Sequence, residues 1–256
     1  MDNAKTMLSP KEITDFTSDI GRSKASFSPW RTRFLSIMAG VFISIGAAAS
    51  TKANVILSGS RYASLISSFL FSIGLILVLV AGAELFTGNI LMTVSLLDGK
   101  VSLKEMLINL IRVYVWNFIG SLFFAILIYL ALGKDDPVVK STAIMLRTKT
   151  SYSFIQCICL AFLCNLLVCL AVWMSFGAKQ VTGKIFASAF PIAIFVFMKF
   201  EHIVANFFYY AEGILGKTDV AFSDIIVHSL IPVTIGNILG GLFVGIIYHS
   251  SYHRNQ

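Results

Sequence analysis

Charge is what this sequence has least of. Of its 256 residues only 13% are Asp, Glu, Lys or Arg, while 57% are hydrophobic. A water-soluble domain carries about 25% charged residues, so this chain cannot cover a globule with a hydrated surface. Cysteine is also scarce. Cys157, Cys159, Cys164 and Cys169 all lie in one apolar segment, with no His or carboxylate in that segment to share a metal. The Cys157-x-Cys159 pair therefore reads as small apolar packing, not as a metal or disulfide site, and no cofactor is expected. The first 33 residues hold ten charges and no apolar stretch, so no cleavable signal peptide is expected and the first span must direct insertion. His-Glu-x-x-His, Gly-x-Ser-x-Gly and paired membrane aspartates are missing, which argues against an intramembrane enzyme. The net charge is +7, but the basic residues are scattered and form no aromatic-interleaved patch. Nucleic acid is not the expected partner; anionic lipid and an anionic solute fit the sign better.

What is present is long apolar sequence. About 20 apolar residues cross a bilayer as a helix, and six spans are predicted at about 34–53, 64–94, 106–133, 153–177, 184–214 and 226–249. Assigning Lys and Arg to the two sides of the membrane, Lys199 apart, gives twelve on the side of the termini and seven on the other. The positive-inside rule then makes this a multi-pass cell-membrane protein with both termini cytoplasmic. The expected organisation is a cytoplasmic N-terminal tail (1–32), a six-span pore domain (33–250) and a cytoplasmic C-terminal tail (251–256). Within the first tail, Ser9-Pro10-Lys11-Glu12 reads as a capping box with Pro at the first helical position. Ile13, Phe16 and Ile20 follow at helical spacing. A short amphipathic helix is expected there, either lying on the membrane surface or covering a pore mouth.

Two of the predicted spans carry polar sequence at membrane depth. The second contains Ala83-Glu84-Leu85-Phe86-Thr87-Gly88-Asn89, and the fifth contains Lys199-Phe200-Glu201-His202-Ile203-Val204-Ala205-Asn206. Each presents a Glu, four residues, then an Asn. Downstream, Asn117-Phe-Ile-Gly120 in the third span matches Asn237-Ile-Leu-Gly240 in the sixth. Spans one to three thus share a pattern with spans four to six. Three-span units must insert in opposite senses, which gives a 3+3 inverted repeat with spans two and five interrupted. Breaks at matching positions mark a transporter's site, because non-helical backbone is tolerated in a membrane only where protein or a watery cavity satisfies it. Gly236, Gly240, Gly241 and Gly245 form a close-packing face for the pore wall or for a subunit contact.

At these residues the chain resembles the formate–nitrite transporter family. The resemblance rests on 83–89, on Phe-Glu-His-x-x-Ala-Asn at 200–206, on Asn165 to Trp173 and on Pro232 to Asn237. It implies an all-α, aquaporin-like fold, a homo-pentamer with one pore per protomer, and passage of formate, nitrite or hydrosulfide. By resemblance, His202 is the central pore histidine, Thr87 faces it across the break, and Asn165 hydrogen-bonds near it. Leu75 and Phe195 form apolar constrictions, with Phe71, Leu85 and Phe86 on the same path. Lys24 and Lys149 match vestibule lysines. Glu84 and Glu201, with Asn89 and Asn206, anchor the breaks. The family usually has a small residue, commonly Gly, where this chain has Lys199. That cation either pairs with Glu201 or Glu84 or adds attraction for an anion.

The chemistry follows from desolvation. A bare anion in a low-dielectric constriction costs tens of kcal/mol by the Born estimate and is usually neutralised instead. Lysines at the mouths concentrate the anion. It then crosses the apolar rings around His202, with or without taking up a proton. His202 is either a proton relay or a plain hydrogen-bond donor. The alternative is an aquaporin-like channel for water or small neutral solutes, against which the lack of Asn-Pro-Ala pairs counts.

Overall fold

The structure is a computed structural model that describes residues 7–253, and among them the chain is all-helical. Ten helices follow in order. They are α1 (Pro10–Ala25), α2 (Pro29–Ile56), α3 (Ala63–Gly82) and α4 (Phe86–Leu97), α5 (Leu103–Leu132), α6 (Pro137–Thr150), α7 (Phe154–Gly177), α8 (Val181–Phe197), α9 (Ile203–Leu215) and α10 (Phe222–Tyr252). Five of them, α2, α3, α5, α7 and α10, are long and apolar enough to cross a membrane.

The stretch predicted as one span at 64–94 leaves helical geometry between Gly82 and Phe86, and that at 184–214 is shared by the two shorter helices α8 and α9. Polar residues at 84 and 201 mark both places. The segment between the third and fourth predicted spans holds the amphipathic helix α6. Asp136 caps it, its side chain accepting from the Val138 N–H at 2.7 Å, and Pro137 supplies its first residue.

Two helix pairs form the frame. α2 runs parallel to α5, with Ser36 level with Asn117 and Gly40 with Ser121. α7 runs parallel to α10, with Gly236 against the Ile158 carbonyl and Gly240 against the Phe162 carbonyl. Glycine makes this approach possible. A Cβ on Gly40 would stand 2.2 Å from the Asn117 carbonyl oxygen, and one on Gly240 2.3 Å from that of Phe162. Gly241 faces Asn165 and Ile90, and Gly245 faces Thr93. The glycine face of α10 is therefore packed inside the chain, against α7 and α4, and does not serve a subunit contact.

α1 lies on the bundle's end. Ser9 accepts from the Glu12 N–H, Glu12 accepts from the Ser9 N–H at 2.7 Å, and the helix starts at Pro10. Its buried side, Ile13, Thr14, Thr17, Ser18 and Gly21, packs on α4, α7 and α10. A Cβ on Gly21 would collide with the Ser95 hydroxyl, so this contact depends on glycine.

Candidate functional site

Two cavities enter the bundle from its opposite ends. The first, about 390 Å³, is lined by Lys24 of α1, by Leu75, and by Glu84, Leu85 and Asn89. The second, about 480 Å³, is lined by Lys149 of α6, by Phe71 and Phe195, and by Lys199, Glu201 and His202. α2 contributes Arg31 and Leu35 to the first and Ser50 and Asn54 to the second. Arg31 and Asn54 are roughly 34 Å apart along a helix that rises 1.5 Å per residue. α7 meets the first cavity with Val172 and Phe176, near its C-terminal end, so α2 and α7 run in opposite directions.

The backbone at the two irregular segments is held by the same bonds in each half. Around residues 83–86, the Asn117 side chain accepts from the Phe86 N–H at 2.9 Å and donates to the carbonyls of Ser36 (2.8 Å) and Glu84 (2.9 Å). Around 201–203, Asn237 accepts from the Ile203 N–H at 2.9 Å and donates to the carbonyls of Ala161 (2.7 Å) and Glu201 (2.9 Å). Both asparagines are fully buried. A chain that leaves the helix orphans its N–H and C=O groups; one amide side chain satisfies two of them on each side and also donates to a carbonyl of the neighbouring helix, Ser36 of α2 or Ala161 of α7.

The acidic residues follow the same duplication. Glu84 is 5% exposed and Glu201 3%, and an ionised carboxylate so buried is costly unless it is paired. Lys24 meets Glu84 at 3.0 Å and Lys149 meets Glu201 at 2.9 Å. Asn89 donates to Glu84 at 2.7 Å, and Asn206 to Glu201 at 2.8 Å. Lys24 also donates to the Asn89 side-chain oxygen Oδ1 at 2.6 Å. The ammonium of Lys149 lies 5.1 Å from the centre of the Tyr209 ring. Both lysines thus sit at cavity walls as members of ion pairs.

Lys199 pairs with neither Glu. Its φ is +57°, in the left-handed region. Gly82 stands two residues before Glu84, as Lys199 stands two before Glu201, and its φ is +86°. The turn that ends each preceding helix requires a positive φ, which glycine adopts without a Cβ penalty and lysine does not. The position's geometry explains why a small residue suits it. Ahead of Gly82 the helix widens to a π turn over Val78–Gly82, whose last bond runs from the Ala83 N–H to the Val78 carbonyl at 3.0 Å.

The inner ends of α4 and α9 meet at the centre. Thr87 Oγ1 and His202 Nε2 are 2.8 Å apart, and both residues are buried. The Ala205 N–H donates to His202 Nδ1 at 3.2 Å. An amide proton on Nδ1 leaves the ring hydrogen on Nε2, which then donates to Thr87. The Thr87 hydroxyl keeps its own hydrogen for another acceptor. Asn165 donates to the carbonyls of Thr87 (3.3 Å) and Asn237 (2.7 Å), and its own carbonyl oxygen is buried without a partner. It touches the Thr87 backbone and makes no hydrogen bond to His202.

Between the cavities stand apolar side chains. Leu75 is 1% exposed and borders the first. Phe71 and Phe195 border the second and meet edge to face, with centroids 5.5 Å apart, and Phe195 lies 5.9 Å from the His202 ring. Leu85 borders the first cavity, but Phe86 lines neither. It packs edge-on against Tyr114 at 4.9 Å, which holds it inside the α4–α5 contact. Sequence reasoning missed Tyr209. It lines the second cavity beside Lys149 and lies seven residues, or two helical turns, beyond His202, a spacing that puts both on one face.

Comparison with known proteins gives a consistent picture. A family model described as formate/nitrite transporter matches residues 11–250. The chain is 36% identical over 284 residues to the formate channel FocA of Escherichia coli strain K12, covering 100% of this chain and 98% of that one. It is 34% identical over 270 residues to a probable formate transporter of Methanothermobacter thermautotrophicus, covering 95% and 97%. Among solved structures, a pentameric formate channel with formate bound superposes with a TM-score of 0.81 at 33% identity, covering 88% and 97% of the two chains. An FNT family ion channel superposes with a TM-score of 0.87 at 29% identity, covering 94% and 98%.

Proposed function

This chain belongs to the formate/nitrite transporter family and is a multi-pass membrane protein, and from that premise we propose that it is a channel for small monovalent weak-acid anions, with formate, nitrite and hydrosulfide as candidates. The observation that carries the reading is the buried Thr87–His202 bond between two cavities, each bearing a lysine at its wall. The protomers assemble as a homo-pentamer in lipid, each with its own path, and both termini are cytoplasmic.

In this reading the chain is a 3+3 inverted repeat whose second and fifth spans are interrupted. Opposed directions of α2 and α7, and the duplicated Asn117 and Asn237 bonds, support it. Glu84–Asn89 and Glu201–Asn206 anchor the interruptions. Because Lys24 and Lys149 are paired, each mouth presents a nearly neutral lysine–glutamate unit and not a free cation. An incoming anion competes with the glutamate for the ammonium and loses water stepwise. The positive ends of α4 and α9 add their dipoles at the centre.

Leu75 on one side and Phe71 with Phe195 on the other exclude a hydrated ion. Between them the Thr87 hydroxyl donates to the passing oxygen or sulfur while His202 Nε2–H holds Thr87 in place. The bond from Ala205 to Nδ1 favours His202 as a neutral donor over a proton relay, since a proton on Nδ1 would face that N–H. Neutralisation of the solute then draws on water in the cavities. Lys199, clear of both carboxylates, adds positive charge at the second mouth.

The test is flux into liposomes containing the purified protein. Formate, nitrite and hydrosulfide are expected to enter at rates far above empty vesicles. Rapid water swelling with no anion entry would replace this reading with an aquaporin-like channel.

A further inference from the structure

Outside the conduction path, two of the four histidines converge on one carboxylate. His249 and His253 lie one turn apart at the C-terminal end of α10, and Asp98 lies just past the end of α4. His249 Nε2 and His253 Nδ1 each stand 2.9 Å from Asp98 Oδ1. One ligand atom from each of the three residues falls within 4.8 Å of the other two. The side chains are 17%, 13% and 14% exposed for His249, His253 and Asp98, shielded yet within reach of water.

We propose that Asp98, His249 and His253 form a binding site for a divalent transition-metal ion of the zinc type. Two imidazole nitrogens and one carboxylate oxygen are the ligand set such ions favour, with a fourth position left to water. At a metal–ligand distance of about 2.1 Å, tetrahedral ligands lie about 3.4 Å apart. The two N···O pairs stand about 0.5 Å short of that separation at 2.9 Å, and no pair among the three ligand atoms exceeds 4.8 Å.

The surroundings fit as well. A ligating histidine usually gives its other N–H to a carboxylate, which fixes the tautomer. With His253 Nδ1 on the metal, Nε2 donates to Asp15 Oδ1 at 2.7 Å. The second oxygen of Asp98 accepts from the Ser18 hydroxyl. Asp15 and Ser18 both belong to α1, so the site joins the N-terminal helix to the C-terminal end of α10 and to the turn after α4. The nearby cation, Lys100, is drawn off by Asp19 at 2.7 Å.

The experiment is calorimetric titration of zinc chloride into the full-length protein in detergent, free of any purification tag. One ion per chain is expected. His249→Gln, which keeps a hydrogen bond to Asp98, and Asp98→Asn should each weaken binding more than 100-fold. Asp15→Asn should weaken it about 10- to 100-fold, as removal of an outer-shell partner does. His228→Gln should leave it unchanged. Bound zinc should also slow amide exchange in residues 15–20 of wild-type protein and not in His249→Gln. Absence of zinc binding by the wild type overturns the proposal, and so does unaltered binding by His249→Gln. In either case the cluster is a hydrogen-bonded clasp only.

Discussion

Removing the ammonium of Lys149 should cost more than removing the whole ion pair. Glu201 is 3% exposed and keeps the Lys149 ammonium at 2.9 Å and the Asn206 amide at 2.8 Å as its polar partners. In Lys149→Met the carboxylate retains the amide but loses its countercharge. Breaking a buried pair from one side costs about 3–5 kcal/mol, and the adjoining cavity and Asn206 relieve part of this, so about 2–4 kcal/mol is expected. Glu201→Gln leaves Lys149 facing the cavity, where its ammonium can reach water, and should cost about half as much. The double variant carries no buried charge and should regain more than the cost of Glu201→Gln alone, about 2 kcal/mol of the sum of the singles, a coupling within the range of touching residues. The assay is reversible unfolding in mixed SDS and non-ionic detergent micelles, followed by tryptophan fluorescence for all four proteins. Lys149→Met within 1 kcal/mol of wild type, or strict additivity in the double variant, would refute the reasoning.

Four further outcomes are expected. Lys199→Gly should stabilise the protein by up to about 1 kcal/mol, because it removes a side chain from a left-handed backbone; a lower unfolding midpoint would contradict this. Gly82→Ala should destabilise by a similar amount in the same assay, and since no atom lies within 4 Å of the added Cβ the cost is conformational. Asn117→Ala and Asn237→Ala should each lose at least about 2 kcal/mol, since an N–H and a carbonyl of the irregular segment are orphaned in a buried place; a loss near zero for either would show that water takes over the bonds. His202→Gln should retain a measurable part of formate flux if the ring is a donor, whereas equal loss in His202→Gln and His202→Ala would point to proton relay.

The sequence revealed most where physical necessity was strongest. Glu84 and Glu201 could not stand in an apolar helix without a reason, and their Asn partners at a spacing of five announced two related places. The pairing of His202 with Thr87 came from resemblance, and 2.8 Å of geometry now joins them. What was illegible depended on long-range contact. Nothing local shows that Lys24 in an N-terminal tail reaches Glu84 sixty residues on, or that the vestibule lysines are spent in ion pairs. Helix α6 has no clear signature in the sequence because Lys140, Arg147 and Lys149 keep it from forming an apolar run. Lys199 read as a possible charge partner because its backbone angle has no sequence signature beyond the glycine at 82. His249 and His253 carried a visible spacing of four, but Asp98 lies some 150 residues earlier in the chain, and only the fold brings it to them.

The most direct measurement is formate entry into liposomes holding wild-type protein or His202→Ala, at equal protein density and the same pH inside and out. The Thr87 donor is set in place by His202, and a lost hydrogen bond to a reacting or passing group costs about 1–3 kcal/mol. Wild-type vesicles are therefore expected to take up formate, and His202→Ala vesicles about tenfold more slowly or less. Equal rates in the two would remove the Thr87–His202 pair from the conduction path.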